Sequence, residues 1–236
     1  MSREATKVPK HIGIIPDGNR RFSRRLMMKP WKGHEWGAKK VKEILEWSRD
    51  AGAKEITLYT FSIENFDRPK EEFDYLMELF VKEFDRLKDD EELKKHDVRV
   101  NVIGRLYLFP QAVQDRIKEV MEVTKDHKTF IVNFAMAYGG RAEVVDATKR
   151  IAEQIKAGTL DVEAINEECF SRNLYFEDEP DLIIRTGGEM RTSNFLPYQG
   201  AYSEWIFLDK MWPEFEKKDF EACIAEYQSR QRRFGK

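Results

Sequence analysis

The 236-residue chain is short of cysteine. It has two, Cys169 and Cys223, far apart and with no C-x-x-C pair, which excludes a disulfide framework and a thiolate metal site and leads us to expect a reducing cytoplasm. It lacks any apolar run approaching the roughly 20 residues of a membrane span, and MSREATKVPK at its start lacks the apolar core of a secretion signal. Net charge is nearly missing too: the formal balance is −2, so neither a nucleic acid nor an anionic membrane is an obligate partner on global charge. Electrostatic function must then be local. No repeat, low-complexity tract or Pro/Gly linker divides the chain, and 41% hydrophobic with 36% charged residues can bury one sizeable α/β core.

What is present is an alternation of strand and helix patterns. Ile12 to Ile15, Ile56 to Ser62, Val98 to Ile103, Thr129 to Ala137, Leu182 to Arg185 and Glu204 to Leu208 read as strands. Between them, Glu35 to Ala51 presents Val41, Ile44, Leu45 and Ser48 on one side before Gly52, and Phe73, Leu76, Met77, Phe80 and Phe84 fall at helical spacing after Pro69. Val113, Ile117 and Val120 mark another helix, Arg141 to Lys156 a further one, and Phe220, Ile224 and Tyr227 the last. Six strands interleaved with helices predict a single-domain α/β fold with a six-stranded, mainly parallel sheet.

In such a sheet, ligands bind beyond the carboxyl ends of the strands. The polar motifs sit there: Asp17-Gly18-Asn19-Arg20-Arg21 after the first strand, Ser62-Ile63-Glu64-Asn65 after the second, Gly139-Gly140-Arg141 after the fourth and Arg185-Thr186-Gly187-Gly188-Glu189 after the fifth. Arginines, amides and glycines are the means by which proteins hold phosphate oxygens, so the shared rim reads as a polyphosphate site. A hard ion such as Mg²⁺ on a diphosphate needs an oxygen ligand, and Asp17 is the candidate. Taken singly, Asp17 fits a turn residue in P-D-G-N as well, and Arg20, Arg21, Arg24 and Arg25 fit a solvated helical face better.

The motifs taken together are more specific. HIGIIPDGNRRFSRR, GHEWGAKKV, LYTFSIENFDRPKEEFDYLMELF, VNFAMAYGGR, DLIIRTGGEMRTSNFLPYQGAYSEWIF and WPEFEKKDF resemble, in order, the signatures of the cis-prenyltransferases, the undecaprenyl diphosphate synthase family. The resemblance runs from about His11 to Gly235, with residues 1–10 as an extension and 11–236 as the catalytic domain. It implies condensation of an allylic prenyl diphosphate with isopentenyl diphosphate, with Mg²⁺ and an apolar tunnel between the Phe73–Phe84 helix, the preceding helix and the sheet. It further implies Asp17 at the metal, with Gly18, Asn19, Arg20, Arg21, His34, Phe66 and Arg68 at the allylic diphosphate. Ser62 and Asn65 fall between the substrates, Arg185, Arg191 and Ser193 at isopentenyl diphosphate, and Glu204 at a second metal-associated carboxylate. Arg233-Phe234-Gly235 resembles an R-x-G motif that reaches across a homodimer interface.

Some positions depart from the commoner bacterial pattern: Arg20 stands for glycine, Pro30 for arginine, Phe66 for tryptophan and Met190 for histidine. Arg20, Arg24 and Lys29 are the cations that could replace the one missing at Pro30. The acidic run Lys88-Asp89-Asp90-Glu91-Glu92 has the wrong spacing for an aspartate-rich metal motif and reads as a solvated helix end. Irregular prenyl condensation and a non-catalytic subunit of a heteromeric enzyme are the alternatives. A nucleic-acid module is disfavoured, because no stacking platform or recognition helix accompanies the basic cluster. Peripheral membrane contact for product release is also expected.

Overall fold

The structure, a computed structural model, describes residues 8–230. In chain order it runs β1 (His11–Ile15), α1 (Asn19–Arg25), α2 (Gly33–Asp50), β2 (Glu55–Ser62), α3 (Lys70–Lys88), α4 (Glu91–Lys95), β3 (Val98–Ile103), α5 (Gln111–Thr124), β4 (Phe130–Tyr138), α6 (Gly140–Lys156), α7 (Glu167–Arg172), β5 (Leu182–Arg185), β6 (Glu204–Phe207) and α8 (Lys217–Ser229). The six strands form one sheet in the order β3-β4-β2-β1-β5-β6. Every neighbouring pair is parallel, so the expected "mainly parallel" sheet is wholly so. The chain leaves β1 toward β2 on one side and later returns to its other side as β5, which makes the gap between β1 and β5 a topological switch point.

The helices follow from their local chemistry. In α3, Glu71 and Glu72 lie in the first turn and Arg86 and Lys88 in the last, each matched to the helix dipole, and Pro69 precedes the first turn without breaking it. Leu76, Met77, Phe80 and Phe84 are buried at three- and four-residue spacing. The acidic run is a junction: Asp89 ends α3, and the Asp90 side chain caps α4 by accepting from the Glu92 N–H. The sequence pattern had no place for α7, whose six residues are too few to show a period.

One face of the sheet carries Ile12, Ile14, Ile56, Leu58, Val100, Val132 and Ile184 against α2, α3, α5 and α8. The opposite face holds Ile15, Ile183, Tyr138 and Phe195, and also a transverse polar row. Thr57, Asn133 and Asn101 are paired across β2, β4 and β3. His11 shares a 2.7 Å hydrogen bond with Thr57, and Asn133 donates to both Thr57 and Glu55. Burial drives His11 down to about 3, and burial followed by the neighbouring Asp178 charge pushes Glu55 up to about 7. No helix among the described residues is long and apolar enough to cross a membrane.

Glu55 gives a pH signature. Its carboxyl keeps its proton up to about 7 when folded but releases it near 4.5 when unfolded. The associated stability is therefore complete below 4.5 and is lost as pH rises through 7. Glu55→Gln keeps an acceptor for Asn133 without that loss, so its melting temperature relative to the parent is expected to climb between about pH 4.5 and 7. His11, whose depressed value has the opposite sign, is common to both proteins and cancels in the difference. A flat difference measured by differential scanning calorimetry across this window rules out the assignment.

Candidate active site

The turn after β1 is built around one carboxylate. Gly18 holds φ 105°, the left-handed region that favours glycine, and a Cβ there would lie 2.8 Å from Met211 Cβ. That turn lets the Gly18 N–H donate back to Asp17 Oδ1 at 2.6 Å. Across the switch point, Arg185 at the end of β5 donates from Nη2 to Asp17 Oδ2 at 2.8 Å, and Arg21 of α1 lies 3.4 Å from Oδ1. Arg185 is buried. Its Nη1 donates to Ser193 Oγ at 2.7 Å and to the Arg191 carbonyl, which pins the 186–193 loop to the same strand end. Gly187 (φ 90°) passes close enough that a Cβ would meet Arg21 Nη2 at 2.7 Å.

Behind this rim lies a second charge centre that sequence reading missed. Glu72, on the first turn of α3, is 1% exposed, and its carboxylate lies 3.2 Å from Arg68, 3.4 Å from Arg20 and 3.9 Å from His34. His34 is driven to about 3 by burial first and then by the Arg68 and Arg20 charges, so it is a neutral ring near pH 7. Glu189 is the other missed acid. It receives Arg191 at 2.5 Å and Arg21 at 3.5 Å, spacing the two guanidiniums on the rim. The signal for both was an acid embedded in a basic motif, R-P-K-E-E and G-G-E-M-R, which spacing alone cannot separate from solvent-facing acids.

Two cavities meet here. A polar pocket of about 300 Å³ is lined by Asp17, Gly18, Asn19, Arg20, Arg21, Arg24, His34, Glu189 and Arg191. At Asn19 and His34 it adjoins an apolar cavity of about 500 Å³ running between α2, α3 and the sheet past Leu45, Leu58, Phe61, Leu76, Phe80 and Phe84 to Leu93, Val98 and Phe130. This is the expected tunnel. Of the three cations considered for the place left by Pro30, Arg20 and Arg24 line the polar pocket, whereas Lys29 is held by Glu71 at 2.6 Å outside it.

The remaining expected residues divide. Ser62 and Asn65 form a reciprocal capping box, with the Ser62 N–H donating to Asn65 Oδ1 at 3.2 Å. Phe66 packs against Phe61, Phe73 and Phe109 and lines neither cavity. Met190 is exposed to solvent. Glu204 lies away from the rim of its own chain: it starts β6, pairs with Leu182, and lies three residues before Phe207, the partner of Arg185. That places it about 10 Å back from the rim along the strand, where its carboxylate accepts from Arg230 at 2.7 Å. Within one chain it cannot join Asp17 at a metal. Arg233 and Gly235 lie outside the described residues.

For a divalent ion, the donor set is two pocket carboxylates, Asp17 and Glu189, each engaged by arginines. Among the described residues no three His, Cys, Asp or Glu side chains converge on a common point. The buried Asn19 Oδ1 has no hydrogen-bond partner in the pocket wall. This is too little for an all-protein cage and fits Mg²⁺, which commonly takes one or two carboxylates and completes its shell with phosphate oxygens and water.

Glu72 provides a test of the network. Removing a buried carboxylate that faces two guanidiniums costs about 3 kcal/mol, so Glu72→Ala is expected to lower unfolding stability by that amount in denaturant titration. Lys70→Ala breaks only an exposed pair on the same helix, and its cost is expected to stay below about 0.5 kcal/mol. Equal losses from both would show that Glu72 is not a charge centre.

The undecaprenyl diphosphate synthase family model, Prenyltransf, matches residues 15–235. The tritrans,polycis-undecaprenyl-diphosphate synthases (geranylgeranyl-diphosphate specific) of Methanocaldococcus jannaschii and Pyrococcus horikoshii are 51% and 50% identical to it. The alignments cover 97% of this chain and 83% and 88% of those proteins. The crystal structure of lavandulyl diphosphate synthase from Lavandula x intermedia in complex with dimethylallyl diphosphate superposes with a TM-score of 0.92 at 32% identity, over 97% of this chain and 99% of that one. Agreement of sequence and of shape along nearly the whole chain has one explanation: the chain belongs to the undecaprenyl diphosphate synthase family and is a cis-prenyltransferase.

Proposed function

We propose that this enzyme extends geranylgeranyl diphosphate with successive isopentenyl diphosphates, adding five-carbon units with cis double bonds and releasing diphosphate each time. The observation that carries the reading is the junction at Asn19 and His34 of an arginine-lined pocket with an apolar cavity: an allylic diphosphate has that division, a charged head on a hydrocarbon tail. The archaeal relatives named above supply the choice of starter.

In this reading, Arg20, Arg21 and Arg24 grip the allylic diphosphate. The neutral ring of His34 and the Arg68–Glu72 pair shape the passage to the tail cavity. Arg191 and Ser193, aligned by Arg185, receive isopentenyl diphosphate, and Ser62 and Asn65 line the approach between the two. The allylic C–O bond breaks as the new C–C bond forms, and the proton lost from the isopentenyl unit goes to the departing diphosphate. Mg²⁺ held by Asp17 would supply charge neutralisation for that leaving group. The protein's part is positioning and exclusion of water, the source of most rate gain when little covalent work is asked of side chains.

We place the enzyme in the cytoplasm, which suits its free Cys169 and Cys223, with its product handed to a membrane. We also propose a homodimer in which Arg233 and Gly235 complete the partner's isopentenyl site. Resemblance supports this, and the described residues leave Trp205 and Phe207 stacked and part-exposed on the edge strand β6. Co-refolded Asp17→Ala and Arg233→Ala chains are then expected to regain activity that each lacks alone. No recovery in confirmed mixed dimers refutes completion in trans.

Incubation of the purified chain with labelled isopentenyl diphosphate, geranylgeranyl diphosphate and Mg²⁺ is expected to give linear products that grow by five-carbon units. A single branched product would establish irregular condensation instead. Asp17→Ala is expected to lower kcat, measured on the folded protein, by at least about 100-fold, and to lower unfolding stability by about 3 kcal/mol because it leaves the buried Arg185 without its carboxylate. Near-parental turnover in Mg²⁺ would overturn the role given to Asp17.

A further inference from the structure

The loop after α1 carries three consecutive exposed apolar residues, Leu26, Met27 and Met28. Met27 is 96% exposed and sits at φ 55°, in the left-handed region that favours glycine. Neither burial nor backbone conformation accounts for a methionine there. The loop is nonetheless well held: Met27 N–H donates to the Arg24 carbonyl at 3.0 Å and Met28 N–H to the Ser23 carbonyl at 2.9 Å. Leu26 lies one turn from Phe22, whose ring contacts Trp36 of α2 at 5.8 Å, and Trp36 is itself half exposed. The apolar surface is therefore continuous from the loop to α2.

Cations frame it. Among the described residues Arg24 and Lys39 have no acidic partner, and Lys39 Nζ lies 5.7 Å from the centre of the Trp36 ring. Arg25 and Lys29 are each matched by one acid, Glu214 and Glu71. The face thus keeps an excess of positive charge although the whole chain is slightly acidic. Lys39 also lines the apolar cavity, which joins this surface to the tunnel wall.

We propose that the Leu26–Met28 loop, with Trp36 and Lys39, is a docking surface for an anionic lipid bilayer. Apolar side chains on a cationic rim are the pattern by which peripheral proteins combine shallow insertion with attraction to acidic headgroups. A second protein is less well matched, because a projecting methionine flanked by long cations offers no concave site for an anchor residue. The inference deepens the proposed function: a product with a long hydrocarbon tail has to leave the cavity into lipid, and a tunnel wall that rests on a bilayer shortens that transfer.

The test uses the full chain and unilamellar phosphatidylcholine vesicles with and without phosphatidylglycerol, separated by sedimentation. The chain is expected to partition onto the anionic vesicles, less so at high salt, and Met27→Gln/Met28→Gln is expected to reduce partitioning about tenfold. Met27→Gly removes the side chain and relieves the backbone. It should weaken partitioning while melting no lower than the parent, which separates lost insertion from lost folding. Parental partitioning by these variants, or a parent that stays in the supernatant, overturns the docking surface. So does light scattering in which the variants dissociate an oligomer, since the face would then be a self-interface. Prenyl transfer is followed in the same samples. An active chain that ignores vesicles refutes the docking surface alone, whereas a chain that partitions through Met27 and Met28 but makes no product refutes the proposed function alone.

Discussion

The bond between Asp17 and Arg185 holds the two halves of the sheet's rim in register. It crosses the switch point between β1 and β5, so a residue read early in the chain is tied to one read 168 positions later. Through its other nitrogen, Arg185 fixes Ser193 and the Arg191 carbonyl, and through Asp17 it reaches the Gly18 turn and α1. A buried guanidinium without this carboxylate would be an uncompensated charge. The pocket's geometry is therefore set by the same pair that makes burial of Arg185 tolerable.

A second constraint is the neighbourhood of unlike media. Guanidinium groups gathered to bind phosphate repel one another when no phosphate is bound, and an apolar cavity a few residues away strengthens that repulsion by excluding water. Glu72 on the rim side of α3 and Glu189 on the loop offset it, each set between two arginines. Both remain compatible with ligand: Glu72 is buried behind the wall, and Glu189 is on the exposed side where a phosphate can compete for its partners. The low proton affinity of His34 follows from the same crowding and keeps the junction between pocket and cavity uncharged.

Much of this was legible in the sequence, and the physical reason is local. Strand and helix alternation, the glycine in the turn after β1, and the burial of Leu76, Phe80 and Phe84 follow from periodicity and backbone preference over a few residues. Those rules, with the placement of ligands beyond parallel strand ends, brought Asp17, Arg20, Arg21 and Arg185 to one rim, whereas Arg191 and Ser193 were named only by the resemblance. Within one chain, the strand reading already separates Glu204 from Asp17, since a residue at the amino end of β6 lies at the opposite end of the sheet from that rim. Ser62 and Asn65 were read for chemistry where the local structure first uses them to cap a turn.

What the sequence determined, then, is the kind of fold, the identity of the rim and its phosphate chemistry, because each depends on near neighbours or on a general rule of parallel sheets. Only the tertiary structure decided which acid meets which arginine. Glu72 and Glu71 are adjacent in sequence, yet one is buried between Arg68 and Arg20 and the other holds Lys29 in solvent. The difference is a rotation of about 100° per residue around the helix, and its meaning depends on what α1 and α2 place opposite. The same holds for the exposed Met27 and the buried Met77: side-chain type is shared, and burial is conferred by the elements packed around it.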